Sequence, residues 1–173
     1  MIKSILILAA GAALAFAGNP QSPAAQASVT IGGKSITIKY SAPSLRGRTM
    51  FGADGRISKD PNWPVWRAGA DDATALHTDA DLDIKGLKVP KGDYTIYVLV
   101  NPTMPWQLII NKQTKQWGLD YDAKQDLGRV PMTVTKPSAP IETFKITLSD
   151  AGGKGKLQME WENVIASVPF TAK

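Results

Sequence analysis

Residues Ser28–Tyr40 read SVTIGGKSITIKY. Val29, Ile31, Ile36, Ile38 and Tyr40 alternate with Thr30, Ser35, Thr37 and Lys39, so the apolar period is two rather than 3.6. Gly32-Gly33 sits midway, and both residues can take positive φ, as a primed two-residue turn requires. The stretch therefore predicts a hairpin. Downstream, Leu82–Val89, then Pro90-Lys91-Gly92, then Asp93–Val100, predicts a second one. In its last strand Tyr94, Ile96, Val98 and Val100 share a face, while Tyr97 and Leu99 make the other face apolar too. A strand with two apolar faces belongs in the middle of a sheet. Further strands are expected at Thr74–Thr78, Trp106–Ile110, Arg129–Thr135, Ile141–Leu148, Lys156–Trp161 and Ala166–Phe170. No window of a dozen residues carries an amphipathic helix. About ten short strands, with turn signals between them, predict an all-β fold, an antiparallel β-sandwich.

Outside these strands the N-terminus reads differently. Lys3 precedes an apolar run from Ile5 to Phe16, too short for a membrane span, and Ala15-Phe16-Ala17 supplies a small-x-small cleavage site. Residues 1–17 are expected to be a signal peptide cleaved after Ala17, with Ala25-Gln26-Ala27 as a second cleavage site. No Cys follows the run, which excludes a lipid anchor there. The expected location is periplasmic or secreted, with no membrane span after cleavage. Residues 18–27, GNPQSPAAQA, are small and polar and read as a flexible leader. Residues 28–173 are expected to form a single β-sandwich domain.

Composition removes whole classes of chemistry. The 173 residues include no Cys and one His, His77. Disulfide scaffolds, zinc fingers, iron–sulfur sites, thiol nucleophiles and two-imidazole metal sites are thereby excluded. The expectation is no metal and no cofactor. The net charge of +5 is spread without a Lys/Arg block, so no nucleic-acid partner is expected. Gly33-Lys34-Ser35 opens a strand rather than a helix and lacks the first P-loop glycine, so it reads as a turn. Asp79, Asp81 and Asp83 read as one solvated strand face rather than a calcium loop, since position 90 is Pro90 where that loop needs Glu. His77 has no recognisable nucleophile and reads as a surface or partly buried histidine. Trp106 and Trp161 fall in strand patterns and read as core.

Residues 41–73 break the strand pattern with a long Gly/Pro/Arg/Trp loop. A loop of this length in a compact domain is functional or disordered, and its aromatics argue against disorder. Two segments stand out: Tyr40-Ser41-Ala42-Pro43-Ser44-Leu45-Arg46-Gly47-Arg48 and Trp66-Arg67-Ala68-Gly69-Ala70-Asp71-Asp72-Ala73-Thr74. Arginine is favoured over lysine where a planar fork must grip carboxylate or phosphate. The candidate ligand-binding residues are Tyr40, Ser44, Arg46, Arg48, Trp66, Arg67, Asp71, Asp72 and Thr74. The competing structural reading is an ion-pair network, Arg67 with Asp71 or Asp72, that locks the loop onto the sandwich. Three functions follow. The first is a module binding a small molecule, glycan or peptide. The second is a hydrolase or isomerase using Asp71, Asp72 and Glu142 as acids and bases with Arg67 as electrostatic stabiliser. The third is a structural or interaction protein of the cell envelope.

At these residues the sequence resembles the bacterial family of domain of unknown function 2911. The matching pieces are Tyr40–Arg48, Phe51-Gly52, Trp66–Ala70 with Ala73-Thr74, Gly92–Thr95, Trp106, Asn111, Trp117-Gly118, Glu142, Phe144 and Trp161. They span about residues 28–170. Asp71-Asp72 departs from the Asn-Glu usual in the family at this place, shortening the second acid by one methylene. The resemblance implies export and a single β-rich domain, and it implies no activity.

Overall fold

The computed structural model describes residues 22–173. The signal-peptide reading and the first part of the expected leader lie outside the described residues. Strands β1 (Ala24–Ile31) and β2 (Lys34–Ser41) form the first hairpin, paired Val29↔Ile36 and Ile31↔Lys34. Gly32 and Gly33 turn it with φ of 58° and 77°. After the long loop come β3 (Val65–Trp66) and β4 (Ala75–Thr78). β5 (Leu82–Ile84) and β6 (Leu87–Val89) cross to the opposite sheet, and β7 (Gly92–Leu99), β8 (Gln107–Asn111) and β9 (Asp126–Pro131) return. β10 (Thr133–Thr135), β11 (Ile141–Ala151), β12 (Lys154–Glu162) and β13 (Val164–Ala172) complete the second sheet.

The fold is all-β and sandwich-like, with two antiparallel sheets of seven and six strands. The first runs β1-β2-β4-β7-β8-β9 with β3 also on β7; the second runs β11-β12-β13-β5-β6 with β10 also on β13. Ile36, Ile38, Leu76, Ile96, Val98, Leu108 and Ile110 from the first sheet meet Phe144, Ile146, Leu157, Met159 and Val168 from the second. β7 is central, as its two apolar faces require. Its outer face carries a second small cluster, Val65, Tyr97 and Ile109 with Leu99 and Tyr121.

Four expectations need correction. The leader does not extend to residue 27, because Ala24–Ala27 already pair with Ile38–Ser41 in the hairpin. Ala25 and Ala27 continue the inward alternation of Val29 and Ile31, and the small-residue composition hid that period. The second expected hairpin is absent. Leu82–Val89 folds on itself at Lys85-Gly86, where Gly86 N–H donates to Asp83 Oδ1 at 2.8 Å, and Pro90-Lys91 carries the chain between sheets. Arg129–Thr135 is likewise divided between the two sheets at Met132. Finally, Asp79, Asp81 and Asp83 share no strand face. Asp79 and Asp81 lie between β4 and β5, and each of the three carboxylates holds a different partner: His77, Lys91 N–H, and Gly86 N–H with Lys88.

The placement of β3 and β4 matters most for function. Both pair with the same edge of β7, Val65↔Leu99 and Trp66↔Val98 at one end, Ala75↔Thr95 to Thr78↔Gly92 at the other. Residues 67–74 therefore leave the sheet and rejoin it within one strand's length, closing on the Ile96 N–H to Thr74 carbonyl bond of 2.9 Å. That excursion presents Arg67 and Asp71.

Candidate functional site

The long loop is fastened by apolar burial and by hydrogen bonds to backbone. Leu45, Met50, Ile57, Trp66 and Ala68 join the main core, and Phe51 and Trp63 pack against it. Phe51, Trp66, Phe144 and Trp161 form an aromatic group with ring centroids 5.1–6.0 Å apart. Leu45 N–H donates to the Glu142 carbonyl and Arg46 N–H to Glu142 Oε1, at 2.8 and 2.9 Å. Glu162 reaches in from the end of β12, and its Oε2 accepts from Met50 and Phe51 N–H at 3.2 and 3.0 Å. An unpaired buried N–H costs about 1–3 kcal/mol, so these carboxylates set the loop's path.

Several candidate residues are part of this fastening. Tyr40 is 8% exposed, and its hydroxyl accepts from Ile146 N–H at 3.0 Å, tying the two sheets together. Ser44 bridges to Thr143, with hydroxyl oxygens 2.8 Å apart. Thr74 is fully buried and donates to the Ala68 carbonyl at 2.7 Å, bracing the excursion. Trp66 is 3% exposed. Asp72 is exposed and bridges to Trp117 on the way to a separate groove over the outer face of β2, β4 and β7, beside His77. Asp71, Asp72 and Glu142 thus do not share a cleft: Asp71 lines one cavity, Asp72 another, and Glu142 serves the loop backbone.

What the fold does gather is arginine. A solvent-open cavity of about 330 Å³ is lined by Arg46, Arg48, Arg56 and Arg67, with Asp60 and Asp71 as its acids and Met50, Ile57 and Trp161 among its apolar wall. The chain has five arginines, so four of them meet here. The ion-pair network expected between Arg67 and Asp71 or Asp72 is not formed. Among the described residues no carboxylate comes within 4.0 Å of any of these four guanidinium groups. Asp71 instead accepts from Ser22 N–H at 3.0 Å. Arg48 donates Nε and Nη2 to the Leu45 and Ser44 carbonyls at 2.8 and 2.7 Å. Arg67 lies over the Trp117 ring at 5.6 Å, and its Nη1 is buried without a hydrogen-bond partner.

Arg67 is held by a segment the loop does not include. Residues 112–125 strap across the outer face of the first sheet. Gly118 N–H donates to the Asp71 carbonyl at 3.0 Å, and Ala73 N–H to the Gln116 carbonyl at 3.1 Å. A Cβ on Gly118 would stand 2.6 Å from both Arg67 Cδ and the Asp71 carbonyl oxygen, so only glycine permits this approach. Arg46, Ala68 and Asp71 have left-handed φ of 49°, 51° and 58°, three of the six non-glycine residues that do among the described residues. Such strain gathers at binding and catalytic sites. Asp60 sits half-buried in the wall; burial pushes its carboxyl up from the usual range, against the pull of Arg67 and Arg56.

Arg56 and Asp60 were not among the residues singled out in sequence. Arg56 was legible as the one further arginine of residues 41–73; Asp60 carried no signal, because a short 3₁₀ turn over Ile57–Lys59 decides where it points. Comparison with curated proteins and with solved structures returned no match. Of the pieces quoted for the resemblance, Arg46, Arg48, Trp66, Gly69, Ala70 and Trp161 line the cavity with Arg67, and Gly118 packs on Arg67. The family described as "Protein of unknown function (DUF2911)" matches residues 22–170, so the chain belongs to that family.

Proposed function

We propose that this is an exported binding protein whose pocket of Arg46, Arg48, Arg56 and Arg67 takes a small organic anion. The observation that carries the reading is the lack of carboxylate partners: four arginines line one cavity, among the described residues none has a carboxylate within 4.0 Å, and Arg67 Nη1 is buried without a hydrogen-bond partner. A buried guanidinium donor left unpaired costs stability, and an incoming oxyanion removes that cost. The cavity of about 330 Å³ is far larger than a bare phosphate or sulfate, which favours an anion with an organic body. Stacking of a glycan on Trp66 is disfavoured, because that ring is spent within the aromatic group. The export part of the proposal rests on the signal-peptide pattern of residues 1–17.

Isothermal titration of the mature protein with succinate, citrate and a sugar phosphate tests the binding. At least one is expected to bind at millimolar Kd or tighter, more weakly as salt is raised. Absence of saturable heat with all three at tens of millimolar ligand overturns the reading.

A further inference from the structure

The same pocket holds a half-buried charge of the other sign that has no protein partner among the described residues. Asp60 lines the cavity alongside Arg56 and Arg67. Among the described residues its carboxylate accepts no hydrogen bond and lies beyond 4.0 Å from every guanidinium. Asp60 shares the cavity wall with Arg56, Arg67, Asp71 and Ser22, and lies within the pull of Arg67 and Arg56. A surface pair that simply stabilised the loop would close on itself, as Lys88 and Asp83 do elsewhere. Here the arginines and Asp60 line one cavity with no ion pair between them among the described residues.

A ligand that fills such a gap must offer oxyanions to the arginines and a hydrogen-bond donor to Asp60. A plain dicarboxylate offers the first and leaves the half-buried carboxylate facing another anion. We propose that the pocket selects anions that also carry a donor, the hydroxy and amino acids, and that Asp60 is the residue that selects them. The inference rests on the anion-binding reading above and adds its specificity. Asp60 touches the ligand's hydroxyl or ammonium, and the arginines touch its carboxylates. Sites built to hydrogen-bond a hydroxyl reject the analogue that lacks it much more strongly than apolar pockets reject an added group. The partial burial that raises the Asp60 carboxyl supports this placement, since a desolvated acceptor gains most from a donor.

The test compares ligands that differ by one donor. L-Malate and L-aspartate are titrated into the mature protein against succinate, by calorimetry. The wild type is expected to bind at least one of the donor-bearing acids about tenfold tighter than succinate. In Asp60→Ala that ratio is expected to fall to near one, with succinate binding tighter than in the wild type because a repelling charge has gone. Tighter binding cannot come from misfolding, and the wild-type ratio needs no variant at all. If no anion binds, the functional reading itself fails. If succinate binds as well as malate and aspartate, or the preference survives in Asp60→Ala, anion binding stands and the selectivity proposal is overturned.

Discussion

Arg129 and Arg67 show what it means for a charge to be finished or unfinished by the fold. Arg129 lies near the outer-face cluster of Tyr97 and Tyr121. Its Nε and Nη2 donate to Asp126 Oδ2 at 3.0 and 2.8 Å, and Nη2 also donates to the Tyr121 hydroxyl at 2.9 Å. Asp126 in turn accepts from Asn111 and from Tyr121, so acid and base are paired with each other and with their neighbours. Burial and the neighbouring Asp126 push the Tyr121 hydroxyl up to about 12, leaving it a neutral donor. Arg67 sits among three other arginines, stacks on Trp117, and keeps a buried nitrogen with no partner. Both regions are strap-against-sheet contacts made by residues 112–126. One uses its charges to hold the strap, and the other holds its charges with the strap. The first arrangement pairs its charges within the fold; the second leaves a buried donor without a partner.

The largest expected effect separates the two directly. Arg67→Gln should weaken anion binding by roughly tenfold to a hundredfold while leaving thermal stability within ~0.5 kcal/mol of the wild type. Arg129→Gln should do the reverse, costing about 1–2 kcal/mol by orphaning Asp126 and Tyr121, with binding unchanged. Calorimetry and chemical denaturation on both variants read the exchange. If Arg67→Gln destabilises and binds normally, the contrast is wrong.

A smaller effect tests whether the strap positions Arg67. Gly118→Ala forces a Cβ to within 2.6 Å of Arg67 Cδ and of a backbone carbonyl. Overpacking of this kind costs about 1–3 kcal/mol, and binding should weaken several-fold as Arg67 shifts. A variant that loses stability but binds as the wild type would show that Arg67 is placed by its own loop alone.

The smallest effect lies in pH dependence. His77 is half exposed and bonded to Asp93 at 2.8 Å and to Asp79 at 3.1 Å, and these bonds raise its pKa. The raised value means that the folded state binds the proton more tightly. Its contribution is therefore fully present below the unfolded pKa of about 6.5 and is lost as pH rises through the folded value. His77→Asn should cost under ~1 kcal/mol at pH 5 and nothing measurable at pH 8. Asp60 is also raised, so its ionisation costs stability above its folded pKa and not below about 3.8. Asp60→Asn should stabilise at pH 7 and be neutral at pH 3. Denaturant midpoints at these pH values check both signs.

Much of the fold was legible because period-two alternation is a local property. The Val29–Tyr40 hairpin, the central strand through Ile96 and Val98, and the core position of Trp161 followed from spacing and turn chemistry, whereas Trp106 is only partly buried and packs against the core. Failures came where two short strands were read as one. Leu82 and Ile84 are out of phase with Leu87 and Val89, and the chain turns back at Lys85-Gly86, where Lys85 takes φ of 50°; Arg129–Thr135 is shared between the two sheets. The alanines at 24–27 pair because β2 extends far enough to meet them, which their own composition does not announce.

The sequence by itself determined the all-β class, the absence of thiol chemistry, the family, and the clustering of four arginines within residues 41–73. Which of the candidates face a cavity was decided by tertiary structure alone. Tyr40, Ser44 and Thr74 carry hydroxyls of the same chemistry as a binding residue, but the opposite sheet and the local excursion consume them. Arg67 stays unpaired because Asp71, four residues on, takes a left-handed φ and spends its carboxylate on Ser22. Charge is written in the chain, but whether a charge is neutralised depends on distances of a few ångströms between segments far apart in sequence.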